Sequence, residues 1–162
     1  MRPSVRIVCL DALSRVLLLQ WRDPSNGELL WEPPGGGIES GESSIEAARR
    51  ELVEETGLDP DAVSDRSIDV PRDAWWKGKR HMGEEPFFVG RFDTDRPTVS
   101  RGGLLEDEEQ NLVGHKWFGP DDLATLTGRL EPPNLAAVVA RLDRAGAWID
   151  VAGRGVTGGT EK

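Results

Sequence analysis

Residues 36–58 constrain the fold of this chain more than any other stretch, because a glycine-rich turn there runs straight into a segment crowded with glutamates. They read Gly-Gly-Ile-Glu-Ser-Gly-Glu-Ser-Ser-Ile-Glu-Ala-Ala-Arg-Arg-Glu-Leu-Val-Glu-Glu-Thr-Gly-Leu. Ser43 and Glu46 form an S-x-x-E capping box, in which each side chain satisfies an orphan N–H at a helix start. Gly57 stands where a residue tolerant of positive φ closes a helix. At about 100° per residue, Ile45, Ala48, Leu52 and Thr56 share one narrow stripe, which is the side expected to be buried.

Glu51, Glu54 and Glu55, spaced i, i+3, i+4, occupy an adjacent sector roughly 100° wide. Carboxylates held side by side repel each other unless a cation sits between them. A solvated acidic face is the ordinary explanation of such a cluster, and two features count against it here. The cluster flanks the apolar stripe instead of opposing it, and Gly35, Gly36 and Gly37 precede the helix and can bring bare backbone close to a ligand. Mg²⁺ takes oxygen ligands and commonly bridges one or two carboxylates to substrate phosphates. An acidic helix is therefore a candidate polyphosphate site, provided the metal comes with the phosphates.

Written as a pattern, residues 36–58 are G-x5-E-x7-R-E-U-x-E-E-x-G-U, with U aliphatic. Gly36, Glu42, Arg50, Glu51, Leu52, Glu54, Glu55, Gly57 and Leu58 fill every fixed position. This resembles the Nudix box, the signature of a family that hydrolyses nucleoside diphosphates linked to another group. The resemblance implies that Glu51, Glu54 and Glu55 bind the metal, Mg²⁺ or alternatively Mn²⁺, together with the Gly35 carbonyl. It implies that Arg50 pairs with box carboxylates and orients them, and that Glu51 ligates metal or helps activate water. Glu42 is then a supporting carboxylate. Family members often add a carboxylate from a later segment. In the acidic run Glu106-Asp107-Glu108-Glu109, Glu109 is the first choice and Glu108 the second, with a merely solvated loop as the plain alternative.

The chemistry implied is attack of water on phosphorus, giving a nucleoside monophosphate and the remaining phosphorylated group. Nucleoside triphosphates, including oxidised ones, are the first substrate class and ADP-ribose the second, the latter suggested by Pro71. The competing reading is a nucleotide or ADP-ribose sensing module that uses the same fold only to bind. The intact box favours the enzyme. The family is often dimeric, so a homodimer is one expected assembly.

The chain has 162 residues, a formal net charge of −9 and a pI near 4.8. Such acidity disfavours nucleic-acid backbones, which call for clustered Lys and Arg, and leaves a small nucleotide as the expected partner. No apolar run approaches the ~18 residues of a membrane span, and Asp11 and Arg15 interrupt any leader-like apolar core. A cytoplasmic protein without a membrane partner is expected. Cys9, the single cysteine, lies in an apolar run and reads as a small buried hydrophobe.

Strands are expected over residues 5–10, 15–21, 62–70, 85–92 and 114–118, with residues 29–32 leading into Pro33-Pro34 and the glycine turn, and a hairpin turn at Lys77-Gly78-Lys79 inside 75–82. Residues 94–111 read as a long surface loop, 120–126 as a short helix and 134–145 as a longer one. This order suits an α/β fold, an α/β/α sandwich around a mixed sheet, and the resemblance implies the same. One domain is expected over 1–150, followed by a glycine-rich disordered tail at 151–162. Trp21, Trp31, Trp75, Trp76 and Trp117 are candidates to stack on a base. Arg22, Lys77, Lys79 and Arg80 could hold phosphates, while His81 and His115 lack metal-ligand spacing.

Overall fold

A computed structural model describes residues 3–149. The strands are β1 (Ser4–Leu10), β2 (Val16–Arg22), β3 (Leu29–Glu32), β4 (Gly35–Gly37), β5 (Val63–Trp76), β6 (Lys79–Arg91), β7 (Leu112–Phe118) and β8 (Arg129–Leu130). The helices are α1 (Ser44–Thr56), α2 (Glu106–Asn111), α3 (Pro120–Ala124) and α4 (Leu135–Leu142). All eight strands join one mixed sheet in the order β5-β6-β1-β2-β3-β8, with β4 added beside β1 and β7 beside β2.

The period-2 pattern of the strands divides the core into two layers. On one face Val5, Ile7, Cys9, Leu17 and Phe88 pack under Ala47, Ala48 and Leu52 of α1. On the other, Val8, Leu10, Val16, Leu18, Phe87 and Val89 meet Leu135, Val138, Val139 and Leu142 of α4. The expected α/β/α layering is therefore present, and Cys9 is buried within it.

The sheet is not continuous from edge to edge. β1 and β2 pair only at Leu10↔Val16, beside their connecting turn, and then diverge. β1 goes on to pair with β4 and β6, and β2 with β3 and β7. The two halves thus splay like an open V, and the gap between them must be filled by side chains or by a ligand.

Three expectations are corrected. Gly35–Gly37 is no turn but a short extended strand, antiparallel to β1 from Ser4↔Gly37 to Arg6↔Gly35. The pieces expected at 62–70, 75–82 and 85–92 are two long strands, β5 and β6, in one register from Ser67↔Phe88 to Trp76↔Lys79. Pro71, Pro86 and Gly83 obscured that continuity, since such residues are depleted in strands. The ladder survives because Lys77 and Gly78, both at positive φ (54° and 76°), make the two-residue turn that matches strand twist.

The loop expected at 94–111 is also interrupted, by α2. Its four consecutive acids fill the first helical turn, where they lie at the positive end of the helix dipole. Trp148, which no periodicity picked out, is fully buried and donates Nε1–H to the Ser14 carbonyl at 2.7 Å. The tail expected at 151–162 lies outside the described residues. No helix among those described is long and apolar enough to cross a membrane.

Candidate active site

Helix α1 is built locally, as its sequence dictates. Glu46 N–H donates to Ser43 Oγ at 3.2 Å, Ser43 N–H donates to Glu46 Oε1 at 2.8 Å, and Gly57 closes the helix at φ 71°. Ala48, Leu52 and Thr56 of the expected stripe are buried, with Ile45 partly so. The neighbouring carboxylates differ sharply: Glu51 and Glu55 are buried, whereas the Glu54 side chain is 38% exposed.

The glycines of β4 explain how two glutamates fit beneath α1. A Cβ at Gly36 would lie 2.5 and 2.6 Å from the two carboxylate oxygens of Glu51. Bare strand backbone therefore forms the floor on which Glu51 rests. Gly35 N–H donates to Glu55 Oε1 at 2.9 Å, which puts the strand directly against the second carboxylate. The requirement for glycine here is close approach, not positive φ.

Arg50 gathers the box. Its Nε and Nη2 grip the Glu42 carboxylate at 2.7 and 3.0 Å, Nη1 reaches Glu51 at 3.1 Å and Glu54 at 3.2 Å, and Nη2 also donates to the Gly37 carbonyl at 2.9 Å. Glu46, one turn away on the same helix, is spent on the helix cap. One guanidinium thereby ties the loop, the strand and two helix carboxylates into a single unit.

The later carboxylate comes from α2. The segment before it is anchored on the end of α1, where Ser100 N–H donates to the Thr56 carbonyl at 2.7 Å and Gly103 lies tight against the Glu54 backbone. This delivers Glu108, whose Oε1 also accepts from Leu105 N–H at 3.0 Å. One carboxylate oxygen each from Glu51, Glu55 and Glu108 come within 4.8 Å of one another. Glu54 and Glu109 are not in that group.

Burial and mutual repulsion dominate the electrostatics of this cluster. Burial, reinforced by the charges of Glu54 and Glu108, pushes the Glu51 carboxyl up to about 7, against the pull of Arg50. Burial likewise holds Glu55 well above the usual carboxylate range, more strongly than Gly35 N–H and Arg6 can oppose. Glu51 Oε1 is buried with no hydrogen-bond partner, and an orphaned acceptor of that kind costs about 1–3 kcal/mol unless something completes it. The donor set is oxygen only, which suits a hard divalent ion.

A cavity of about 230 Å³ opens from this cluster into the V between the sheet halves. Trp21, Trp75 and Trp76 line it, as do Pro71 and Lys77, whereas Trp117 is buried in the core and Trp31 stands edge-on to Phe118, 5.1 Å between centroids. The cations Arg6, Arg72 and Arg129 also border the cavity, unmarked by any local sequence motif. Arg6 bonds Glu32 at 3.0 Å and the Pro33 carbonyl at 3.1 Å, and Arg72 meets Glu85 at 3.3 Å. Arg80 pairs with Asp73 on the exposed face of the hairpin.

Comparison with known proteins agrees with this geometry. A family model described as NUDIX domain matches residues 1–140. An RNA pyrophosphohydrolase of Roseobacter denitrificans is 36% identical over 136 residues, covering 71% of this chain and 84% of its own. In three dimensions the chain resembles a MutT protein from Methanosarcina mazei Go1 (TM-score 0.57, 19% identity, 89% and 94% of the two chains covered). It also resembles a C. elegans Ap4A hydrolase (TM-score 0.54, 18% identity, 96% and 98% covered), and at these identities the likeness concerns the fold. An intact box, the sandwich around a curled sheet and a matching family model lead to one conclusion: the chain belongs to the Nudix family and is a hydrolase of phosphoanhydride bonds.

Proposed function

We propose that the chain hydrolyses a pyrophosphate bond in a nucleoside diphosphate linked to another group, with Mg²⁺ as the ion and Mn²⁺ able to replace it. Nucleoside 5′-triphosphates, normal or oxidised, are the first substrate class and ADP-ribose the second. The observation that carries this reading is the orphaned, buried Glu51 Oε1 in a cluster with Glu55 and Glu108, the last two of which line a tryptophan-walled cavity. Glu51, Glu55 and Glu108 would hold the ion, with the Gly35 carbonyl and Glu54 as further ligands from the box. When bound, the ion neutralises phosphate charge and lowers the pKa of water.

The remaining work falls to this chain's own side chains. Arg50 holds Glu51 through one oxygen and leaves the other buried without a hydrogen-bond partner. Gly35 N–H holds Glu55 in register with it. The cavity is smaller than the ~300–1,000 Å³ of pockets that enclose a whole drug-sized ligand. It therefore suits base and sugar, stacked on indole faces worth about 1–3 kcal/mol each, with the phosphates left outside at the carboxylates. Water attacks one phosphorus, the bridging P–O bond breaks, and a nucleoside monophosphate leaves with the other phosphorylated product.

A second reading is the 5′-triphosphate end of an RNA, favoured by the name of the Roseobacter relative. The net charge of −9 opposes contact with the following backbone. The test is a chromatographic product screen with Mg²⁺ over nucleoside triphosphates, ADP-ribose, dinucleoside polyphosphates, nucleotide sugars and a 5′-triphosphorylated oligonucleotide, with Glu55→Gln alongside. Metal-dependent release of a nucleoside monophosphate, lost in Glu55→Gln, is expected. Turnover that persists in the variant or in EDTA would sink the assignment of the cluster. Preference for the oligonucleotide, weakening steeply with salt, would favour the RNA end.

A further inference from the structure

The β5–β6 hairpin outruns the sheet that supports it. β6 pairs with β1 only from Arg6↔Phe87 to Leu10↔Arg91, so residues 79–86 and their β5 partners form a free two-stranded arm. A two-stranded ribbon alone is marginally stable in water. This one nonetheless carries Trp75 and Trp76, which form a wall of the cavity. Its base is tied to β1, where Glu85 meets Arg6 at 3.5 Å and Arg72 donates to Ser4 Oγ at 3.1 Å, so the tip that carries the tryptophans depends on contacts of its own.

Two of those contacts cross the open side of the V. Arg129 lies on β8, and Trp75 on β5, at opposite ends of the strand order. Arg129 Nη2 donates to the Trp75 carbonyl at 2.7 Å, Nη1 to Glu28 at 2.7 Å and Nε to Glu131 at 3.4 Å. The guanidinium thus bridges the two edge strands, closing the curled sheet by a side chain where a barrel would use a backbone ladder. Asp23 follows β2 and is 2% exposed. Its carboxylate accepts from Ser25 N–H at 2.9 Å and from Lys77 N–H, in the hairpin turn, at 3.1 Å. Trp76 packs beside these ties against Leu19, Trp21 and Leu112.

We propose that Arg129 and Asp23 are positioning residues: they clamp the tryptophan-bearing arm to the opposite half of the sheet and so fix the wall of the nucleotide pocket. This rests on the nucleotide reading above. Arg129 also borders the cavity, whereas Asp23 does not line it, so the Asp23 variants are the ones that isolate the effect of the arm from direct contact with the ligand. Lysine cannot stand in for Arg129, because one ammonium does not reach three acceptors held in a planar fork. Asparagine at 23 keeps one acceptor oxygen, so its defect should be intermediate.

The test measures kcat and KM on the best triphosphate of the screen, and Kd for ADP and GDP with Mg²⁺ by tryptophan fluorescence. Arg129→Gln, Asp23→Ala and Asp23→Asn are compared with Arg80→Gln, which breaks an exposed ion pair on the same arm. Arg129→Gln and Asp23→Ala should each raise KM and the diphosphate Kd about tenfold or more, the loss of a charged hydrogen bond, with kcat within about threefold. Asp23→Asn should fall between, and Arg80→Gln should match wild type. Wild-type binding in both clamp variants, or an equal loss in Arg80→Gln, overturns the proposal. A wild type that binds diphosphates through the clamp but hydrolyses no triphosphate leaves the clamp standing and defeats the substrate assignment. Failure to bind either diphosphate defeats both.

Discussion

Alanine at Gly36 and alanine at Gly35 should have opposite consequences, although the two residues are neighbours on the same strand. At Gly35 the new Cβ would collide with the Val5 carbonyl oxygen and lie 3.0 Å from Arg6 Cα. Both obstacles are backbone of β1, which cannot retreat without loosening its ladder to β6. The cost is that of severe overpacking, about 3 kcal/mol, a large part of the ~5–15 kcal/mol that holds a domain together. At Gly36 the atoms nearest the new Cβ all belong to the Glu51 carboxylate, its oxygens at 2.5 and 2.6 Å, the far end of a flexible side chain. Swinging Glu51 aside costs about 0.5–1.5 kcal/mol of rotamer strain and relieves a buried carboxylate, so stability should change by less than about 1 kcal/mol. Activity should not survive in the same way, since a ~1 Å misplacement of a reacting group costs on the order of 100-fold. Urea unfolding followed by tryptophan fluorescence reads the first quantity, and kcat/KM on the best substrate the second. Wild-type kcat/KM in Gly36→Ala, or equal destabilisation by both substitutions, would refute the account of why these glycines are there.

Glu55→Gln should flatten the pH dependence of the metal-free protein. The raised Glu55 carboxyl means the folded state keeps a proton that the unfolded chain releases near pH ~4.3. Stability in EDTA therefore falls as pH rises above that value, and thermal melts of Glu55→Gln should show a shallower slope, the raised Glu51 carboxyl supplying the rest, and lose stabilisation by Mg²⁺. Glu85 behaves oppositely: burial pushes its carboxyl up, but Arg6 and Arg72 outweigh that and hold it below the usual range. Its contribution is complete above the unfolded pKa and disappears as pH falls through the lower folded one. Glu85→Gln should cost about 3 kcal/mol near neutrality, by leaving two arginines short of a partner, and remove that acid-side loss. Glu108→Gln should lower kcat about 100-fold while Glu109→Gln stays near wild type, and a reversal in steady-state rates would return the later carboxylate to Glu109.

The α1 helix and its carboxylate row were legible because everything that makes them is local. The Ser43–Glu46 cap, the Gly57 stop and the i, i+4 relation of Glu51 to Glu55 all lie within a few turns of one another. Strand positions in the core were legible for a similar reason, since period-2 burial is written residue by residue. By contrast, the choice between Glu108 and Glu109 depends on how residues 100–105 dock on the end of α1, which no periodicity encodes.

The cavity and its closure depend still more on distant pairings. Arg129 meets the Trp75 carbonyl across 54 positions, Lys77 N–H meets Asp23 across 54, and Trp148 meets Ser14 across 134. Short-range sterics and capping chemistry act on a chain before it is folded and so can be read along it. The splay of the sheet after Leu10↔Val16, the burial that raises Glu51 and the arm brought over the pocket exist only once remote strands have met. Local chemistry therefore placed the acidic helix, and long-range packing decided which later carboxylate joins its cluster and which aromatic rings line the cavity beside it.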